Sequence, residues 1–288
     1  MISEFLAYLK YQKRYSPHTV EAYELDLNQF VAWLGGEQLL LTAIHSDIRS
    51  WLLKLLKENK SQSTVHRKMS SLKAFYRYQM QQGEMKTNPV SQLTLPKKEK
   101  RLPTFLKEKE TQALFSQIKY ADDFEGERDE MILNLFYGTG MRVSELANLK
   151  ISAIDYDRKL IKVLGKRNKE RLIPLLPFVL NGLRNYIVIR DREVGSNIHL
   201  FVSSSNQALN RNQLYYIVKK YLSQVSSALK RSPHVLRHTF ATQMLNSGAD
   251  INALKELLGH SSLAATQVYT HSTQEQLKKD YKQAHPRA

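Results

Sequence analysis

The densest set of chemically competent side chains lies in the C-terminal segment that starts at Ser232. His234, Arg237 and His238 fall within Ser232-Pro233-His234-Val235-Leu236-Arg237-His238, His260 ends Leu257-Leu258-Gly259-His260, and Tyr269 and His271 follow in Val268-Tyr269-Thr270-His271. Arginine stays charged and grips phosphate oxygens through a planar fork, while histidine carries a proton near neutral pH. Tyrosine, with a pKa of about 10, is a poor nucleophile, but a dense cationic pocket with a base nearby makes it a usable one. Together these residues can attack a phosphodiester without a metal. Each also has a plainer reading: a capping histidine, a salt-bridged arginine, or one structural tyrosine among 15.

Two more cations belong to the same chemistry. In Gly138-Thr139-Gly140-Met141-Arg142 the glycines permit a tight turn that presents Arg142 at the start of a helix. Free amides and the positive dipole end there favour an anion; the alternative is an arginine paired with Glu145. Lys166 occupies the tip of a hairpin that also carries Arg167 and Lys169. It is either a solvated turn residue or a cation on an arm that reaches a leaving oxygen, and the residues alone do not choose among the three. His234 and His238 have the spacing of a metal pair, but Val235 stands where a zinc hydrolase helix needs glutamate, and no carboxylate cluster accompanies the histidines. No metal site and no cofactor are expected.

The elements that must position these residues are mostly helical. Residues 1–95 read as a helical domain of four helices, with apolar faces at Ile2, Phe5, Leu6 and Leu9; at Val20, Tyr23, Leu27, Phe30, Val31 and Leu34; at Ile48, Trp51, Leu52 and Leu55; and at Val65, Met69, Leu72 and Tyr76. Ser16-Pro17 caps the second helix and Gly35-Gly36 stops it. The fourth, from about Gln62 to Gln82, places His66, Ser70, Lys73 and Arg77 on one stripe with Arg67 and Lys68 nearby. That stripe is either a solvated face or, beside the overall charge, a set of phosphate contacts, and the charge favours contact with DNA.

Residues 96–104 form a basic linker between prolines, with Lys97 and Lys98 placed to cross a nucleic-acid backbone. The second domain, 105–288, predicts helices over Thr111–Ile118, Glu127–Tyr137 and Met141–Leu149. An antiparallel hairpin, 160–164 and 171–175, follows, then helices over Val179–Arg190 and from Asn212 onward. The expected fold class is mainly α with a small antiparallel sheet.

Composition sets the partner class. The chain has 288 residues, a formal net charge of +16 and no cysteine. An excess this large implies a polyanionic partner and steeply salt-dependent binding, while the absence of cysteine excludes disulfides and thiol catalysis. No apolar run approaches the ~18 residues of a membrane span, and the opening residues show neither signal peptide nor lipid anchor. The expectation is a cytoplasmic, nucleoid-associated protein with no membrane partner.

The ordered set of motifs resembles the tyrosine recombinases (phage integrases), and within them most closely the bacterial Xer site-specific recombinases. The first box is Gly138-Thr139-Gly140-Met141-Arg142-Val143-Ser144-Glu145-Leu146 and the second is His234-Val235-Leu236-Arg237-His238-Thr239-Phe240-Ala241-Thr242. Leu257-Leu258-Gly259-His260-Ser261-Ser262 and Val268-Tyr269-Thr270-His271 complete them, and Ser16-Pro17-His18-Thr19 and Asn88-Pro89-Val90 are also similar to that family.

The resemblance implies a SAM-like N-terminal core-binding domain and an α+β catalytic domain. It implies that Arg142 and Arg237 hold the nonbridging oxygens of the scissile phosphate, His234 assists proton transfer, His260 hydrogen-bonds the phosphate, Lys166 protonates the departing 5′ oxygen, and Tyr269 attacks to leave a 3′-phosphotyrosyl link. Arg167 stands where the family usually has glycine. The implied partners are double-stranded DNA with a specific recombination site, a homo- or hetero-tetramer with another Xer-type recombinase, and a DNA translocase activator. The implied role is resolution of chromosome or plasmid dimers; the alternatives are a mobile-element integrase or a DNA-binding module without catalysis. The tail, with Leu277 and Tyr281, is expected to dock in trans on a neighbouring subunit.

Overall fold

Helix caps written in the sequence divide the first part of the chain. The computed structural model describes residues 1–95, 105–165, 169–226, 231–259 and 281, and the chain splits into two compact units, Met1–Arg101 and Leu102–Ala288. In the first unit, α1 (Ile2–Ala7) continues as a π-turn over Tyr8–Gln12. Helix α2 (Pro17–Leu34) starts where the Ser16 hydroxyl accepts the Thr19 N–H at 3.3 Å and stops at Gly35, whose φ of 96° suits glycine. Helix α3 (His45–Lys57) is capped by the Asp47 carboxylate on the Ile44 N–H at 2.9 Å, and α4 (Gln62–Gln81) by the Ser61 hydroxyl on the Thr64 N–H at 3.2 Å. Their apolar faces close over Phe5, Leu27, Phe30, Ile48, Leu72 and Phe75.

One cation beside the basic stripe turns inward. Lys68 is buried, and its ammonium binds Asp26 at 2.8 Å and lies 5.6 Å from the centre of the Trp51 ring. The reason is Asp26, which lies on the inner side of α2 with no solvent exposure. A carboxylate there requires a counter-charge, and α4 supplies Lys68 for it, with Arg67 bound to the other oxygen.

The second unit begins with α5 (Glu108–Ser116) and α6 (Phe124–Thr139). The sequence predicts an end of α6 at Tyr137, but the helix runs on through Gly138 and Thr139, and the glycine lets α8 (Pro177–Glu193) approach, since a Cβ there would lie 3.1 Å from the Val179 side chain. The true stop is Gly140, with φ of 59°. The predicted helix over Met141–Leu149 is shorter, α7 (Val143–Ala147), because Met141 and Arg142 remain outside it; Arg142 is its extended N-cap.

Strands β1 (Ile154–Asp155), β2 (Leu160–Leu164) and β3 (Glu170–Pro174) form an antiparallel sheet in the order β1-β2-β3, with Leu160 opposite Pro174 and Leu164 opposite Glu170. The two-residue β1 is too short to leave a sequence pattern. Helices α8 (Pro177–Glu193), α9 (Arg211–Val225), α10 (Pro233–Asn246) and α11 (Ile251–Leu258) follow. The core gathers Ile132, Phe136, Ile161, Ile173, Leu183 and Leu236. Among the described residues no helix is long and apolar enough to cross a membrane.

Candidate active site

Helix α10 carries the second box because Ser232 stands outside it and Pro233 fits its first turn. His234 and His238 are exposed on this helix, whereas Arg237 turns inward and keeps only 8% of its surface accessible. The Arg237 guanidinium donates from Nη1 to the Gly140 carbonyl at 2.6 Å and from Nη2 to the Leu258 carbonyl at 2.7 Å. Burial, reinforced by the neighbouring positive charge of Arg142, pushes the Arg237 pKa down to about 10. Burial, then the charges of His234 and Arg237, likewise lower the His238 pKa.

Arg142 enters from the turn after α6. Its backbone N–H is capped by Glu145 Oε2 at 2.7 Å, so the free amide expected there is already used. Its side chain donates to Glu145 Oε1 at 2.9 Å and to the Gly259 carbonyl at 2.9 Å. The two alternatives for Arg142 therefore coexist: it pairs with Glu145 and still keeps donors, on a side chain with 30% exposure.

A third guanidinium completes the cluster. Arg171 on β3 forks onto Glu145, Nη1 to Oε1 and Nη2 to Oε2 at 2.8 Å each, and its Nε donates to the Leu257 carbonyl at 2.6 Å. Burial alone would raise the Glu145 pKa, but the bonds and charge of Arg171, followed by the bonds from Arg142, hold the carboxyl below its usual range. The sequence reading did not single out Arg171. A signal was present: strand side chains alternate, so Arg171 shares a face with the buried Ile173.

The last three carbonyls of α11 and its cap are thus each held by a different arginine: Leu257 by Arg171, Leu258 by Arg237 and Gly259 by Arg142. Helix C-termini carry partial negative charge and leave carbonyls unpaired, so cations are favoured there. Gly259 is in the left-handed region, φ 63°, and a Cβ on it would lie 3.1 Å from Arg171 Nη1. Among the described residues of this cluster one carboxylate, Glu145, faces three guanidinium groups. The surplus positive charge is what an anion would neutralise.

Lys166, His260 and Tyr269, together with Lys97 and Lys98, lie outside the described residues. The described neighbours of Lys166 and His260 border the cluster. Gly165 closes the hairpin loop by donating to the Lys169 carbonyl at 2.8 Å, and a Cβ on it would stand 3.5 Å from Arg171 Nη1 and 3.7 Å from Glu145 Oε1. Gly259 directly precedes His260.

On α4, Lys73 and Arg77 are exposed and His66 is half-buried. Arg67 is half-buried and donates to Asp26 and, at 3.2 Å, to the Ala22 carbonyl. Tyr281 of the tail, expected on a neighbouring subunit, is buried in its own chain: its hydroxyl donates to the Gly138 carbonyl and its ring lies 6.2 Å from that of Phe240. Leu277 lies outside the described residues.

Comparison with known proteins agrees with this architecture. Residues 104–276 match the Phage integrase family, and residues 2–83 match the Phage integrase N-terminal SAM-like domain. The tyrosine recombinase XerC of Staphylococcus saprophyticus subsp. saprophyticus is 42% identical over 99% of this chain and 96% of its own length. XerC of Anoxybacillus flavithermus is 36% identical over 99% of this chain and 97% of its own length. Among solved structures, the Tn1549 transposon integrase in complex with transposon right-end DNA shares the fold, with a TM-score of 0.75, 21% identity and coverage of 96% of this chain and 98% of that one. With two family domains covering most of its length and full-length relatives well above the level of chance likeness, the chain belongs to the phage integrase family of tyrosine recombinases and is a site-specific recombination enzyme of the Xer type.

Proposed function

We propose that this chain cleaves and rejoins double-stranded DNA at a specific recombination site through a 3′-phosphotyrosyl intermediate, with Tyr269 as nucleophile. The Tyr269 oxygen forms a bond to phosphorus as the bond to the 5′ oxygen breaks. His234 takes part in moving the phenolic proton, His260 hydrogen-bonds the phosphate, and Lys166 donates a proton to the departing 5′ oxygen. Arg142 and Arg237 hold the nonbridging oxygens. A 5′ hydroxyl from another strand then reverses the step, so the energy of the cleaved bond is kept in the phosphotyrosyl link.

The observation that carries this reading is the buried Arg237 guanidinium, desolvated beside Arg142. Negative charge grows on the phosphate oxygens as the pentavalent state forms, and fixed guanidinium donors stabilise that state more than the ground state. The loop base at Gly165 and the residue before His260 both border the same cluster, which supports Lys166 and His260 as members of the site.

The working assembly in this reading is a tetramer on two DNA sites, with a second Xer-type recombinase or a second pair of this chain, acting in resolution of chromosome or plasmid dimers in the cytoplasm and activated by a DNA translocase. The domain limits are 1–95, 96–104 and 105–288, with Lys97 and Lys98 of the linker and His66, Arg67, Lys73 and Arg77 of α4 on phosphates. The pocket that Tyr281 fills in its own chain is the seat a neighbouring tail takes in the tetramer.

The test is incubation with a nicked duplex that traps the cleaved state. A covalent protein–DNA band that is lost in Tyr269→Phe, with DNA affinity unchanged, is the expected result; a band that persists in that variant removes Tyr269 from the role. Sequencing the trapped DNA reads out the recombination site.

A further inference from the structure

Among the three arginines at the end of α11, Arg171 is the one with no expected contact to phosphate. Its guanidinium nevertheless ties two parts of the cluster together. Two of its nitrogens fork onto Glu145, whose same two oxygens also hold the side chain and the backbone N–H of Arg142. Its third nitrogen holds the Leu257 carbonyl, two residues before Gly259. Its backbone belongs to β3, one residue beyond Glu170, which pairs with Leu164 at the mouth of the Lys166 loop. It is 7% exposed, and both its partners are buried.

We infer that Arg171 is a positioning residue for strand cleavage: a rigid strut that fixes the Arg142 guanidinium, through Glu145, relative to the end of the helix from which the chain runs on to His260 and Tyr269. The inference rests on the reaction proposed above. Three features support it. The five donors of a guanidinium are coplanar, so one side chain sets the distance and the angle between Glu145 and the Leu257 carbonyl together. Lysine cannot do so, because its ammonium is a point charge without a fork. Gly259 is shaped around this group, since a Cβ would come within 3.1 Å of its Nη1 and 3.3 Å of its Cδ.

A phosphoryl transfer is sensitive to such placement, since an offset of about 1 Å costs about 10²-fold in rate. Loss of the strut therefore slows the chemical step while leaving DNA affinity near its normal value, because Arg171 is buried. Glu145 lies on the path, so the effect passes through it, and removal of Arg171 adds little once Glu145 has lost its charge.

The experiment measures single-turnover formation of the covalent complex on the nicked duplex, together with DNA affinity and melting temperature, for Arg171→Lys, Glu145→Gln and the double variant. At a temperature where every variant is folded, Arg171→Lys should cleave about 10²-fold more slowly with affinity near that of the unaltered protein, although its melting temperature falls because the Leu257 carbonyl loses its donor, and the double variant should be no slower than Glu145→Gln alone. Cleavage at the normal rate overturns the proposal, as does a rate loss that only follows a loss of binding or of folded protein at the assay temperature, or additive effects in the double variant. If Arg171→Lys does not fold, the same comparison is made with Gly259→Ala, which keeps every charge and crowds the guanidinium; an unchanged rate there overturns the proposal equally. An unaltered protein that gives no covalent band refutes the phosphotyrosyl reaction itself, a result distinct from a normal band with an unaffected Arg171→Lys.

Discussion

Arg142 donates from Nη2 to the Gly259 carbonyl at 2.9 Å across 117 residues of sequence. The bond joins the first box of the chain to the residue before His260, so two parts of the proposed site are held together by the fold. Donors held by the fold in this way are what stabilisation of a developing charge requires.

Arg237→Ala should lose both stability and chemistry. The substitution leaves the Gly140 and Leu258 carbonyls without their donor, at about 1–3 kcal/mol for each buried group left unpaired. Cleavage should fall by about 10²–10³-fold, the usual effect of removing one donor to a developing oxyanion. Chemical denaturation and single-turnover cleavage measured on the same sample separate the two losses, and a variant that cleaves at the normal rate removes Arg237 from the site.

Glu145 gives an acid-dependent signature. Its folded pKa is lowered from 4.5, so the stability it contributes is full above that ordinary value and is lost as the pH falls through the lower folded value. Glu145→Gln should therefore be less stable near neutral pH, by about 3–5 kcal/mol because Arg171 is left buried without its counter-charge. The gap in melting temperature between the two proteins should shrink as the pH drops below 4.5, where protonation makes the native carboxyl resemble the amide. A gap that stays constant into acid contradicts the ionised Glu145–Arg171 pair.

The helix α4 cations should divide into two behaviours. Lys73→Ala and Arg77→Ala, both at exposed positions, should weaken DNA binding to a similar extent on every sequence and each reduce the salt slope by about 1, with melting unchanged. Asp26→Ala, which strands the buried Lys68, should destabilise the first unit by about 3–5 kcal/mol. Binding isotherms over a range of salt and urea denaturation check the pair; unchanged slopes in the exposed variants would assign that face to solvent.

Local signals in the sequence determined which elements form and which side chains are chemically suitable. The Ser16-Pro17 cap, the Gly35-Gly36 stop and the 3.6-residue apolar period act within a few residues of one another, so the chain alone specifies α2 and α4 to within a residue or two. The same is true of the basic excess that calls for DNA and of the boxes around Arg142, Arg237 and Tyr269.

Only the tertiary structure decided which charges are buried and what they hold. Arg171 meets Glu145 across 26 residues and the Leu257 carbonyl across 86, and Lys68 meets Asp26 across 42. No periodicity encodes such partners. A buried charge persists only where the folded chain brings an opposite charge or an unpaired carbonyl to it, and that meeting is a property of how β3, α7 and α11 converge.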